Sequence, residues 1–443
     1  MSGAISRRQI MTGAAAVAGA AAVSAALPAA AEAKPGRGRR KPRVAVIITE
    51  YRPNSHGDVI TTKLLEGYQL RGVDTEPRIE VASIYLDQRP ANDVGVYMAR
   101  KHNVPIFDTI PEALAVGRTG KVDVDGVILI GEHGAYPTNQ YGQVTYPRRR
   151  FFDSATAAMI ASNRFVPMFN DKHLSQSYVD AKHMLDTTRR YRIPMFAGST
   201  LPLGWRFPAL TYQRGANLTE AVAVGYSGIE SYGFHVLETL QCMVERRAGG
   251  ETGVAAVQTV RGQAVWDAAA AGRWDESLMH AALDSIRAKS GLIKPGDIKA
   301  NVKDPIAFFI EYVDGFKATA LLLNGGIETL AYAGKRDGQT EAAEFLLELG
   351  WPYGHFTFLD RQIEAMVHSG VAPYPLERTV LTTGILDAAM LSNYNNGARR
   401  LTPELSTLRY EAVEEPKGTL EPSGTGIGDE LPPPSPDTRP YPR

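Results

Sequence analysis

The chain reads as an α/β protein, with an N-terminal Rossmann-like, doubly wound parallel sheet and a C-terminal α+β domain on a largely antiparallel sheet. Short, continuously apolar runs such as Val44-Ala45-Val46-Ile47-Ile48 and Val127-Ile128-Leu129-Ile130 have the pattern of strands buried on both faces. Helix-length segments separate such runs up to about residue 200, and regular β-α alternation implies right-handed crossovers and parallel pairing. Past Thr200 the strands are joined by hairpins and the helices stand apart, which is the α+β pattern.

The first half opens with a strand at 44–48, a helix over 55–70, a strand at 79–85 and a helix over 91–102. A short strand at 104–107, a helix at 111–116 and a buried strand at 127–130 follow. Pro147 suits the first turn of a helix running to 161, because its missing N–H has no partner there anyway. A strand at 165–169, a helix over 175–191 capped by Ser175, and a strand at 193–197 complete the parallel sheet. In the second half, strands are expected at 220–229 and 254–260, with a helix at 232–246 between them. Strands at 307–313 and 316–323 flank Asp314-Gly315, a two-residue hairpin signal whose central positions both call for positive φ. Helices over 359–369 and 376–395 close the domain.

The ends have a different character. Ser6-Arg7-Arg8-Gln9-Ile10-Met11, an Ala/Val/Gly run and Ala31-Glu32-Ala33 form a charged region, an apolar region and a small-residue cleavage site in order. Residues 1–33 therefore read as a twin-arginine export signal, with a basic linker over 34–42, and the expected address is periplasmic or extracellular. The apolar stretch is too short and too rich in Ala and Gly for a membrane anchor, and no later run is long enough to span a bilayer. Residues 43–200 are expected to form the Rossmann-like domain and 201–413 the α+β substrate and oligomerisation domain. Residues 414–443, rich in Pro, Gly, Glu and Ser, read as a disordered tail. Lys+Arg and Asp+Glu balance at 48 each, so no global field draws nucleic acid or acidic lipid. Cys242 is the only cysteine, which excludes an intrachain disulfide despite the exported address.

Ligands of a doubly wound sheet bind beyond the carboxyl ends of its strands. After the first strand comes Thr49-Glu50-Tyr51-Arg52-Pro53-Asn54-Ser55-His56-Gly57, where a dinucleotide fold has G-x-G-x-x-G; no glycine precedes Gly57. Thr49, Glu50, His56 and Asp87 are the candidate cofactor-binding residues at this edge. After the fourth strand, Gly131-Glu132-His133-Gly134 can aim an acid and an imidazole into a crevice, or form a solvated turn. After the fifth, Asn170-Asp171-Lys172-His173 offers a lysine whose desolvation would suit it to acid/base work, or a surface lysine before a helix. His235 and Glu238 lie three residues apart on one helical face, where the carboxylate can orient the imidazole, or the histidine can be a satisfied core residue. Arg148-Arg149-Arg150 can clamp an anion, or be a solvated helix start.

Together these residues resemble the glucose–fructose oxidoreductase/inositol dehydrogenase family (Gfo/Idh/MocA) over nearly the whole mature chain. Asp171-Lys172-His173 stands where the family has Glu-Lys-Pro, Phe196-Ala197-Gly198-Ser199 resembles the next strand, and Gly233-Phe234-His235-Val236-Leu237-Glu238 resembles the Gly-x-His-x-x-Asp helix. The resemblance implies Lys172 as catalytic lysine and His235 as the histidine exchanging the substrate hydroxyl proton, with Glu132 and His133 as further catalytic candidates. Ser231, beside Glu230, stands where the family has its aspartate.

The expected function is an oxidoreductase on a sugar or polyol with NAD or NADP. Two alternatives remain: a carbohydrate lyase, isomerase or hydrolase in the same cleft, metal-free or using a divalent metal, and a non-catalytic carbohydrate-binding protein. The expected partners are a small carbohydrate or polyol, the twin-arginine machinery and further copies of the chain, which the resemblance places on the open face of the second sheet.

Overall fold

The computed structural model describes residues 40–70, 73–118, 120–287, 290–348, 350–414 and 439–441. The export signal and most of the linker and of the expected tail lie outside the described residues.

The first half runs β1 (Arg43–Ile48), α1 (His56–Glu66), β2 (Tyr68–Leu70), β3 (Val73–Thr75), β4 (Glu80–Leu86), α2 (Gly95–Lys101), β5 (Ile106–Phe107), α3 (Ile110–Ala115) and β6 (Gly126–Ile130). It continues with α4 (Arg148–Ser162), β7 (Met168–Asp171), α5 (Tyr178–Tyr191) and β8 (Met195–Gly198). Six strands form one sheet in the order β5-β4-β1-β6-β7-β8, parallel throughout. This is the doubly wound sheet that the apolar runs predicted. Leucine, isoleucine and valine side chains on both faces of β1 and β6 are fully buried, which explains why those runs lack polar alternation.

The second half contains β9 (Arg206–Phe207), β10 (Leu218–Gly225), α6 (Ser231–Val244), β11 (Val254–Arg261), α7 (Gln263–Ala270), α8 (Glu276–Asp284) and α9 (Ile298–Asn301). It ends with β12 (Ile306–Tyr312), β13 (Lys317–Leu322), β14 (Leu330–Arg336), β15 (Gln339–Phe345), α10 (Phe356–Ser369), α11 (Leu376–Tyr394) and β16 (Arg400–Leu401). Eight strands form the second sheet, in the order β16-β11-β12-β13-β10-β14-β15-β9. All its pairings are antiparallel except β10 with β13.

Several local expectations shift. The helix over 55–70 stops at Glu66, where Gly67 takes φ 91° and the chain turns into the small β2-β3 hairpin. Helix α5 is capped by Ser177, not Ser175: the Ser177 hydroxyl accepts from the Asp180 amide. The β12-β13 connection has positive φ at Gly315 but not at Asp314. It is a three-residue turn closed by Gly315 N–H donating to the Tyr312 carbonyl. The two-residue turn with both positions positive is Asp337-Gly338 (φ 51° and 77°), joining β14 and β15, strands that sequence reading missed.

Side-chain alternation divides the second sheet into two packed faces. Ala221, Ala223, Phe308, Ile310 and Leu322 join a core shared with α6, α11 and the first sheet. Val222, Val224, Ala307, Phe309 and Leu321 pack instead on Trp266, Trp274, Leu278 and Met279 of the 263–301 segment. The face expected to be open for a second copy is therefore covered by the chain's own α7, α8 and α9. Helix α10 returns to the first sheet, its Leu359, Ile363 and Met366 packing with Val44, Val46 and Ile128. Within the expected tail, Tyr441 is buried in this same cluster and its hydroxyl donates to Asp58 at 2.5 Å.

Candidate active site

The carboxyl ends of β1, β6 and β7 point to one cleft, and the first turn of α6 faces them from the second half. Lys172 follows the last residue of β7 in the left-handed region (φ 66°), uncommon for a side-chain-bearing residue outside a turn glycine. Its amide donates to the Gly198 carbonyl at 3.1 Å, and the Asn170 side-chain amide donates to the carbonyls of Asp171 and His173. The strand end is thereby bent so that the buried Lys172 Nζ lies 2.7 Å from His235 Nε2. His133 is also held at positive φ (69°).

Glu132 lies between two cations. Its carboxylate is hydrogen-bonded by the Arg148 guanidinium and stands 3.7 Å from Lys172 Nζ. Burial pushes its pKa up, but Lys172 and Arg148 overcome this and hold the carboxyl far below the usual carboxylate range. The Thr49 hydroxyl donates to the Glu132 carbonyl at 2.6 Å and braces that loop. His235 is held well below the ordinary imidazole range by burial and by the Lys172 ammonium. Burial and neighbouring His56 bring His133 down to about 3. His56, the first residue of α1, sets Nδ1 2.7 Å from Asp171 Oδ2, a pairing across 115 positions that sequence reading did not find. The cleft thus combines an anchored anion, a cation hydrogen-bonded to a neutral imidazole, and an imidazole–carboxylate pair. Such a set can bind a hydroxyl or carbonyl oxygen and move its proton.

Of the eight candidate residues, the structure brings Glu132, His133, Lys172, His235 and His56 together. Glu50 sits at the rim, paired with Arg52 at 2.5 Å, and Arg52 reaches His133 Nδ1 at 3.3 Å. Asp87 lies apart: Arg150, Tyr85 and Tyr136 all donate to its carboxylate. Glu238 does not orient His235. It is fully buried, accepts from the Ser199 amide and the Thr382 hydroxyl, and fills the space beside Gly198. Glu230 accepts from the Val144 amide and lies 3.8 Å from His173. The arginine run forms no anion clamp, since Arg148 pairs with Glu132 and His173, Arg149 with Asp153 and Asp180, and Arg150 with Asp87. Among the described residues, no three His, Cys, Asp or Glu side chains come together as a metal-binding group.

Gly57 packs as close as a fingerprint glycine would, since a Cβ there would meet the Glu50 carbonyl oxygen at 2.7 Å. At the α1 amino terminus, Ser55 Oγ accepts from the Asp58 amide and the Asp58 carboxylate accepts from the Asn54 amide. The Glu50 carboxylate is paired with Arg52 in this turn, and the Asp87 carboxylate already accepts from Tyr85, Tyr136 and Arg150, which leaves no lone pair for a ribose hydroxyl. The turn lacks the glycine-rich backbone donors by which this fold ordinarily holds a pyrophosphate.

No protein-family model matches the chain. No curated protein matches it either. Solved structures do. GenD2 from gentamicin A biosynthesis, in complex with NAD, aligns with TM-score 0.51 and 14% identity over 83% of this chain and 99% of that one. A scyllo-inositol dehydrogenase from Lactobacillus casei with bound NAD(H) and scyllo-inositol aligns at 0.48 and 9% identity, over 82% and 99%. A probable dehydrogenase from Thermotoga maritima aligns at 0.46 and 11%, over 82% and 99%. The chain has the two-sheet fold of the Gfo/Idh/MocA-type dehydrogenases.

Proposed function

We propose that the protein is an enzyme, of oxidoreductase type by its fold, that acts at a hydroxyl–carbonyl centre of a sugar or polyol. The observation that carries this is the 2.7 Å contact between Lys172 Nζ and His235 Nε2 in a cleft walled by both sheets. Neutral His235 takes the proton of a substrate hydroxyl, and the Lys172 ammonium stabilises the resulting alkoxide or polarises the carbonyl. Glu132, anchored on Arg148, balances the ammonium and keeps it in place. The NAD named with GenD2 supports the oxidoreductase class. A redox-neutral second reading, proton transfer on a carbohydrate by the same pair, is favoured by the self-capped β1-α1 turn.

Purified protein incubated with a panel of inositols and aldoses, with and without NAD+ and NADP+, tests both readings by absorbance at the reduced-nicotinamide band and by product NMR. Lys172→Met and His235→Asn are each expected to lose about 100-fold or more of whichever turnover is found. Turnover that survives both substitutions sinks the proposal. Export by the twin-arginine route belongs to the same proposal and rests on Ser6-Arg7-Arg8 and Ala31-Glu32-Ala33. Replacing both arginines with lysine should retain the protein in the cytoplasm, and unchanged export would remove that part.

A further inference from the structure

We propose that His56 and Asp171 form a second acid/base dyad in the cleft, opposed to Lys172–His235, so that the site handles a carbon-bound proton as well as an oxygen-bound one. This deepens the redox-neutral reading and rests on it. Asp171 is the last residue of β7 and is fully buried, while its neighbour Lys172 turns away through its left-handed backbone. The carboxylate therefore points to α1 and the ammonium to α6. Asp171 Oδ2 meets His56 Nδ1 at 2.7 Å, and among the described residues nothing else is hydrogen-bonded to Asp171 Oδ1 or to the His56 ring. The His56 side chain keeps 15% of its surface, against 1% for Asp171, so the exposed end of the dyad is the imidazole. Its ring is fixed edge-on to Phe356 at 5.1 Å and tilted to His133 at 5.5 Å. An imidazole with Nδ1 tied to a buried carboxylate presents Nε2 as the working nitrogen.

Glu132 stands 3.7 Å from Lys172 Nζ, and its chain neighbour His133 packs 5.5 Å from the His56 ring, so the two pairs border the same space. A polyol ketone there would have its carbonyl oxygen against Lys172. His56 Nε2 takes the proton from the adjacent carbon, the C–H electron pair becomes the enol double bond, and the carbonyl oxygen receives a proton from the Lys172–His235 pair. Return of a proton to carbon regenerates a ketone, exchanged or epimerised, with no oxidant or reductant consumed. The ligand class is thus an enolisable α-hydroxy ketone of a sugar or cyclitol.

Two measurements test this separately from the reading beneath it. In protein labelled with 15N at histidine, a long-range proton–nitrogen correlation spectrum should show His56 with its proton on Nδ1 and a bare Nε2, and Asp171→Asn should abolish that preference. A proton on Nε2 in the wild type overturns the dyad. In D2O without nicotinamide, 2-keto-myo-inositol should gain deuterium beside its carbonyl, and His56→Gln should slow this about 100-fold while the probe still binds. Exchange unchanged in His56→Gln overturns the dyad and leaves the redox-neutral reading standing. Exchange absent in the wild type overturns that reading and the proposal with it.

Discussion

Replacing Glu132 with Gln removes the anion on which the cleft's cations are organised. Arg148 is fully buried and Glu132 nearly so, so solvent screens their pair little, and its loss strands a guanidinium in the core. Removing one partner of a buried pair costs about 3–5 kcal/mol. Here Arg148 keeps His173 Nε2 at 2.8 Å and the Tyr146 ring at 5.0 Å, and Gln still offers an acceptor, which favours the lower end, about 3 kcal/mol. The assay is urea unfolding followed by tryptophan fluorescence and circular dichroism, comparing Glu132→Gln, Arg148→Met and the double variant. The double variant should be less destabilised than the sum of the singles, because it strands neither charge. The sign of the pH dependence follows from the depressed carboxyl. Its stabilisation is fully present above the unfolded value of about 4.3 and is lost as pH falls toward the folded one. The gap between wild type and Glu132→Gln should therefore narrow below about pH 4. A variant within about 0.5 kcal/mol of wild type at pH 7, or a gap independent of acid, would refute the reasoning.

Gly131→Ala should reach the same network sterically, since a Cβ would stand 2.5 Å from Arg148 Cγ; a loss of about 1–3 kcal/mol by thermal unfolding is expected. Lys63 is buried with its ammonium on the Val59 and Pro352 carbonyls, and burial, against Asp360 and Asp58, lowers it to about 8. Its folded value lies below the unfolded value of about 10.4, so stability should rise with pH between the two by about 1.4 kcal/mol per unit. Lys63→Met should flatten that rise in urea titrations, and an unchanged slope would contradict it. In Lys172→Met the His235 imidazole loses the adjacent cation that depresses it, and its NMR titration should move upward toward the ordinary range; no movement would separate the two groups.

The parallel sheet was legible because burial on both faces writes itself as unbroken apolar runs, as in β1 and β6. The β14-β15 hairpin was equally written, in Asp337-Gly338, the same dipeptide as Asp314-Gly315, and only the structure shows which of the two takes positive φ at both positions. Helices α7 to α9 escaped because they are short and owe their stability to packing on the second sheet through Trp266, Trp274 and Leu278, not to local pattern. In the cleft, the position of Lys172 after a buried strand was readable from sequence order alone.

Sequence by itself determined which side chains arrive at the carboxyl ends of the parallel strands, because strand polarity and a short-range hydrophobic pattern place every loop on one edge. Only tertiary structure decided their partners. Whether Glu238 meets His235 or Ser199, whether Asp87 is free or held by Arg150, and whether His56 finds Asp171 depends on contacts between elements 39 to 115 residues apart. Those contacts are chosen by how buried polar groups satisfy one another when the elements pack, and no local pattern along the chain records that choice.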